Sequence, residues 1–261
     1  MPTIGFGTWE ITPDTAAEAA VRLALEAGYR HIDTAKIYGN ERGVGKAIRE
    51  SGIAREEIFV TTKLWNSAHA YDDALHAIDE SLKNLQMDYV DLYLIHWPES
   101  ETRNEAWRAL VDIYKSGKAK SIGVSNYTVR HLEQLLKESD AVPMVNQVEF
   151  HPFIYEEQKV LIDYCHERDI VVEAYSPLAR LAKTRRPEID DIAKRTGKTA
   201  SQVVLRWCLQ HGTVPLPRSQ NPEHIRENLA VYDFELDDKD MKTLDSLYDG
   251  ERVTWNPTNI E

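Results

Sequence analysis

Cysteine is nearly absent: the 261 residues contain two, Cys165 and Cys208. Both fall inside stretches of helical period and not in paired spacings. A disulfide framework is therefore excluded, and buried or partly buried thiols are expected, neither nucleophiles nor metal ligands. Long apolar runs are missing too. Nothing approaches the ~18 to 20 apolar residues that a membrane span needs, so a soluble chain with no membrane partner is expected. Positive charge is in deficit, with 31 lysines and arginines against 43 acidic residues and a formal net charge of −12. A field of that sign repels phosphate backbones, so no nucleic-acid partner is expected, and an anionic ligand needs a local basic pocket. No basic stretch followed by an apolar run opens the chain at Met1-Pro2-Thr3-Ile4-Gly5, and a cytoplasmic location is expected.

What is present is an unbroken alternation of short β-rich runs and longer segments of helical period. Strands are predicted at Ile4–Thr8, His31–Ala35, Ile58–Leu64, Val90–His96, Ser121–Ser125, Val145–Phe150, Ile170–Tyr175 and Thr213–Pro217. Helices are predicted at Pro13–Ala27, Glu41–Ser51, Tyr71–Leu85, Glu101–Ser116, Thr128–Glu138, Tyr155–Arg168, Pro187–Thr196, Ala200–Gln210, Pro222–Asn228 and Asp237–Tyr248. Eight strands separated by helices imply right-handed crossovers and a parallel sheet, and eight is the number that closes. The fold class is α/β, a (β/α)8 TIM barrel, with residues 1–261 as one domain. The alternative, an open doubly wound sheet, wants a G-x-G-x-x-G turn after an early strand; Gly39, Gly43 and Gly45 lack that spacing. Two stretches look like excursions: Leu181–Arg186, with three basic residues, and the tail from Gly250, which is long enough to fold over one barrel mouth.

A barrel enzyme builds its site from the C-terminal ends of the strands. Those ends supply Asp33 with Tyr38 beyond it, Lys63, His96, Ser125 with Asn126, Gln147 and Tyr175. A lysine near the end of the apolar strand Phe59–Leu64 is expensive unless paired, and Asp33 is the obvious partner. A structural ion pair would account for these two alone. With Tyr38 in range, the ammonium is expected to favour phenolate and lower the tyrosine from its reference value near 10. His96 could donate a hydrogen bond to a carbonyl oxygen, or be a hydrogen-bonded core residue.

The ordered motifs Gly5-Phe6-Gly7-Thr8-Trp9, His31-Ile32-Asp33-Thr34-Ala35, Tyr38-Gly39-Asn40-Glu41, Thr62-Lys63-Leu64-Trp65, Leu94-Ile95-His96-Trp97-Pro98, Gly123-Val124-Ser125-Asn126, Asn146-Gln147, Tyr175-Ser176-Pro177-Leu178 and Pro217-Arg218-Ser219 through Glu227-Asn228 span essentially the whole chain. Together they resemble the aldo-keto reductases, most of all the short prokaryotic branch containing 2,5-diketo-D-gluconate reductases. The resemblance implies an NADPH-dependent oxidoreductase that reduces aldehydes or ketones by hydride transfer. Tyr38 would be the general acid, Lys63 its modulator, Asp33 the partner of Lys63, and His96 the group orienting the carbonyl.

The same resemblance implies that Ser125, Asn126 and Gln147 hold the nicotinamide carboxamide, that Tyr175 stacks on its ring, and that Ser176 and Leu178 also contact the cofactor. Arg218 and Ser219 would clamp the 2′-phosphate, although the family usually has lysine at the first position. Glu227 and Asn228 would contact adenine. His224 stands where most NADPH-dependent members carry arginine. A histidine carries less positive charge at neutral pH, so NADPH use with appreciable NADH activity is expected. Trp9, Trp65 and Trp97 would line the substrate pocket, with Trp255 of the tail as a further contributor. A small carbonyl substrate and a monomer are expected.

Two other readings compete. His31-x-Asp33, with His96 and His151 after later strands, could be taken for a metal hydrolase site, but Lys63 would compete for Asp33. A non-enzymatic NADPH-binding sensor is the other; the intact set Asp33, Tyr38, Lys63 and His96 argues against lost activity.

Overall fold

A computed structural model describes residues 1–99, 101–179 and 186–260. The basic excursion from Leu181 to Arg185 lies outside the described residues. The first half of the chain runs β1 (Phe6–Gly7), α1 (Asp14–Ala27), β2 (His31–Asp33), α2 (Glu41–Glu50), β3 (Phe59–Leu64), α3 (Tyr71–Leu85), β4 (Leu92–Ile95) and α4 (Arg103–Ser116). The second half runs β5 (Ile122–Ser125), α5 (Val129–Glu138), β6 (Val145–Glu149), α6 (Tyr155–His166), β7 (Val171–Tyr175), α7 (Pro187–Thr196), α8 (Ala200–Gln210), β8 (Val214–Leu216), α9 (Pro222–Leu229) and α10 (Asp238–Asp245). Local chemistry sets several of these boundaries. Thr128 and Thr199 each close a reciprocal capping box at the start of α5 and α8, and the Asp237 side chain accepts the Asp240 N–H at the start of α10, satisfying donors a helix leaves orphaned.

The strands pair in parallel in sequence order from β1 to β8. Two further hydrogen bonds join the last strand to the first: Gly5 N–H donates to Pro215 O at 3.0 Å and Gly7 N–H to Pro217 O at 3.1 Å. Proline has no N–H to give, so this seam runs one way, from β1 to β8, and the two prolines sit where only acceptors are needed. This is the expected (β/α)8 barrel.

Alternation along each strand separates two apolar cores. Tyr93 and Ile95 of β4 join the large core between strands and helices, whereas Leu92 and Leu94 join Val145 and Phe59 in a small cluster of their own. On the same alternation, the strands bury His31, Asp33, Thr61, Lys63, Gln147 and Glu173, so the barrel interior carries a polar layer.

Gly43 and Gly45 belong to α2. A Cβ on Gly43 would meet Asp14 O at 2.0 Å and one on Gly45 would meet Leu85 O at 2.1 Å, so these glycines let α2 approach its neighbours closely. The strands are shorter than predicted: β1, β2, β4, β6 and β8 stop before their predicted last residues, whereas β3, β5 and β7 end where predicted and start one residue later. The stretch after β2 is a short 3₁₀ turn, Lys36–Tyr38, ended by Gly39 in the left-handed region at φ 66°.

Candidate active site

Lys63 is fully buried on β3. Its ammonium donates to Asp33 Oδ1 (2.7 Å), Asp33 Oδ2 (2.8 Å) and Thr34 O (2.9 Å), and reaches Tyr38 Oη at 3.5 Å. The ion pair expected from the sequence is present, with the phenol at its edge. The predicted effect on the phenol is corrected: Tyr38 is raised well above its ordinary value, by burial first and by the Asp33 carboxylate second. Asp33 takes up the lysine charge, and desolvation of a phenolate outweighs what remains. Tyr38 is thus held protonated, the state a proton donor needs.

The turn that carries Tyr38 is pinned by Asn40. Its Nδ2 donates to Thr8 O (2.9 Å) and Ile11 O (3.0 Å), and its Oδ1 accepts from Thr34 Oγ1 at 2.7 Å. Asn40 is completely buried, and it ties the loop after β1 to the segment between Asp33 and Tyr38.

His96 ends β4 beside Tyr38, with the two rings edge to face at 5.7 Å between centroids. Burial, then the Lys63 charge, lowers it well below the ordinary histidine range, so the ring is neutral. Its Nδ1 is buried without a partner; the single proton is therefore assigned to Nε2. Trp65 meets the other side of His96 at 5.3 Å, and Trp97 packs on Trp255 at 5.7 Å. Trp9 is 39% exposed just beyond β1 and makes no ring contact with the other tryptophans among the described residues.

A second group borders this one. Ser125 Oγ donates to Gln147 O (2.8 Å), and Asn126 Nδ2 donates to His96 O (2.9 Å) and Ser125 Oγ (3.1 Å). Tyr175 Oη donates to Asn126 Oδ1 at 2.7 Å and lies 3.0 Å from Thr254 Oγ1. Asn126 and Ser176 both hold positive φ, 65° and 48°, a conformation non-glycine residues adopt at a cost and mostly at functional positions. Gln147 Nε2 is shared between Asp33 Oδ2 (2.8 Å) and Glu173 Oε2 (2.7 Å), and Gln147 Oε1 has no donor among the described residues.

The remaining predicted positions meet in one cavity of about 450 Å³ lined by Leu178, Arg218, Ser219, His224, Glu227 and Asn228, and also by Arg186, Ile189, Asp190, Thr199, Ala200 and Ser201. At the start of α9 the Asn221 Oδ1 already accepts from Glu223 N–H and His224 N–H, so these two groups are not open to an anion. An anion in this cavity meets Arg218 and the Ser219 hydroxyl instead. Arg218 itself pairs with Glu10 at 3.2 Å, both side chains exposed. A larger cavity of about 640 Å³ lies elsewhere, around Tyr71, Trp107 and Arg108, and contains none of the predicted residues.

The metal-hydrolase candidates are dispersed. His31 lies below the site with Nε2 3.1 Å from Thr61 Oγ1, and His151 Nε2 pairs with Glu149 Oε1 at 2.9 Å. Asp33 is committed to Lys63 and Gln147, and among the described residues no three potential ligands cluster. Both cysteines are buried and free, with Cys165 pushed up to about 11 by burial, against a partly offsetting hydrogen bond from Asn146.

Four positions tied to the predicted site residues escaped the sequence reading. Asn40 carries no signal beyond a turn residue. Glu10 is visible only once the β1 loop and β8 are known to be neighbours. Thr254 reaches Tyr175 across 79 residues. Glu173 did carry a signal: in Val171-Val172-Glu173-Ala174-Tyr175 it is two residues from Tyr175 and so shares its face.

A model of the aldo/keto reductase family matches residues 3–249 of this chain. A glyoxal reductase of Bacillus subtilis (strain 168) is 48% identical over 260 residues, covering 100% of this chain and 94% of the relative. The crystal structure of an aldo-keto reductase from a Medee basin deep-sea metagenome library superposes with a TM-score of 0.95 at 45% identity, covering 100% of this chain and 96% of the other. The structure of a Bombyx mori aldo-keto reductase in complex with NADP superposes with a TM-score of 0.93 at 34% identity, covering 99% and 95%.

Proposed function

The chain belongs to the aldo/keto reductase family, and on that premise we propose that it is an NADPH-dependent oxidoreductase that reduces small aldehydes, short 2-oxoaldehydes such as glyoxal among them, to alcohols. The observation that carries this reading is the buried Asp33–Lys63 pair with its ammonium 3.5 Å from Tyr38 Oη, beside the neutral ring of His96.

The residues present fit the cofactor. Ser125, Asn126 and Gln147 would hold the carboxamide, with Gln147 Oε1 open to accept from its NH2 group. Tyr175, fixed by Asn126 and Thr254, would offer its ring face to the nicotinamide. Ser176 and Leu178 would contact the middle of the molecule, Arg218 and Ser219 the 2′-phosphate, and His224, Glu227 and Asn228 the adenine. When bound, the reduced nicotinamide supplies the hydride.

The chain's own residues supply the rest. His96 Nε2–H donates to the carbonyl oxygen and fixes which face of the carbonyl is presented. Tyr38 gives its proton to that oxygen as negative charge builds there, and Lys63, held by Asp33 and Thr34 O, stabilises the charge left on the phenol. Because Tyr38 starts fully protonated, the lysine acts mainly in the transition state, where such stabilisation raises kcat.

Trp65, Trp97 and the exposed Trp255 border an open mouth, with Trp9 at its rim, which supports acceptance of small substrates. Histidine at position 224 in place of an arginine, and a Glu10 carboxylate on Arg218, support appreciable NADH use beside NADPH. The chain is read as a monomer in the cytoplasm, and the −12 charge supports a surface that repels nucleic acid. The test is a panel of carbonyl substrates run with both cofactors. NADPH oxidation dependent on glyoxal is the expected result; cofactor binding without turnover over the whole panel would favour a sensor.

A further inference from the structure

Glu173, which the mechanism above does not use, is fully buried inside the barrel. Its Oε2 accepts from Gln147 Nε2 at 2.7 Å, and that same nitrogen donates to Asp33 Oδ2 at 2.8 Å. Its Oε1 is buried with no hydrogen-bond partner and lies 3.5 Å from His31 Nε2. The titratable groups facing it are His31 and Asp33 from β2 and Lys63 from β3. From β6 it meets the neutral amide of Gln147, and from β8 its register partner is the apolar Val214.

One lysine cannot balance two carboxylates in a dry interior. If Asp33 and Glu173 were both ionised, the interior would hold an uncompensated negative charge and a carboxylate oxygen with no donor, each costly. His31 does not supply the missing positive charge, since burial, Lys63 and the chain's amino terminus lower that histidine to about 3 and leave it neutral. A proton on Glu173 removes the excess negative charge.

We propose that Glu173 is a positioning residue of the reduction site: as a neutral acid it holds the Gln147 amide with Oε1 toward the mouth and keeps the charge beneath Tyr38 balanced. The inference rests on the roles given above to Tyr38 and Gln147. When Glu173 loses its proton to solvent, a second carboxylate competes for the field of Lys63. Less of that field then reaches Tyr38, and the transition state for proton delivery is less stabilised. Burial and the Asp33 carboxylate push the Glu173 carboxyl up to about 8, so this change falls where the enzyme can be assayed, and well below the raised Tyr38.

The test compares kcat for glyoxal reduction as a function of pH in wild type, Glu173→Gln and Glu173→Leu, with NADPH Kd measured by fluorescence. Glutamine copies the neutral acid, its oxygen accepting from Gln147; leucine does not. Wild-type kcat is expected to fall roughly tenfold by one pH unit above the midpoint. Glu173→Gln, normalised to its own value at lower pH, should lack that fall, and Glu173→Leu should weaken NADPH binding several-fold at every pH. An alkaline fall in Glu173→Gln equal to that of wild type overturns the proposal, as does Glu173→Leu that binds NADPH as tightly as wild type. Should Glu173→Leu fail to fold, the glutamine arm decides. Tyr38→Phe assayed alongside separates the two levels: full turnover there removes the underlying reading, whereas a dead Tyr38→Phe with a wild-type-like Glu173→Gln profile overturns the role of Glu173 alone.

Discussion

At the scale of residues, the site is a contest over a single buried ammonium. Lys63 gives its hydrogen bonds first to Asp33 and Thr34 O, and Tyr38 receives the longest of the four contacts, 3.5 Å. Burial raises the phenol, and that ordering leaves too little of the lysine's charge to lower it. Strand ends and residue types were readable from the sequence, but the sharing of one charge among several acceptors depends on tenths of an ångström and on depth. The cofactor end turns on single residues too. Replacing His224 with arginine adds a permanent charge beside the cavity that holds Arg218 and Ser219. The ratio of catalytic efficiencies, NADPH over NADH, should rise roughly tenfold, the value of one charge-assisted hydrogen bond; steady-state kinetics with both cofactors checks it.

At the scale of elements, the barrel was legible because each strand and helix carries its own local signal. The helices Tyr71–Leu85, Pro187–Thr196 and Ala200–Gln210 stand where their periodicity puts them. β3, β5 and β7 end where predicted, and the other strands end earlier, since apolar pattern does not say where a chain leaves the ladder to face the mouth. What escaped were links between elements. Asn40 joins the β1 loop to the Tyr38 turn, and Thr254 joins the tail to Tyr175; neither is periodic, and both act over distances that local pattern does not encode. Asn40→Ala would leave Ile11 O and Thr34 Oγ1 buried without their partner and Thr8 O with the Ile11 N–H alone. A loss of about 1–3 kcal/mol in unfolding free energy is expected, with a fall in kcat larger than any change in NADPH Kd because the turn bearing Tyr38 is loosened. Urea denaturation and single-turnover kinetics check the two effects.

At the scale of the whole molecule, the polar barrel interior ties stability to pH from both sides. Glu173 is raised to about 8 from 4.5, so between those values the unfolded chain has released a proton that the folded one keeps, and stability falls as pH rises. His31 is lowered from 6.5 to about 3, so below 6.5 the unfolded chain gains a proton that the folded one refuses, and stability falls as pH drops. Denaturation curves collected across this range should show Glu173→Gln losing much of the alkaline-side decline while keeping the acid-side one, a difference on the order of a few kcal/mol at most. The same interior exists to serve the mouth, where Tyr38 is assigned the proton transfer. The most direct test is Tyr38→Phe, with glyoxal turnover and NADPH Kd measured on the same preparation. The account predicts a fall in kcat of at least ~10²-fold with Kd within about twofold of wild type, and a Tyr38→Phe enzyme that keeps most of its turnover would contradict it.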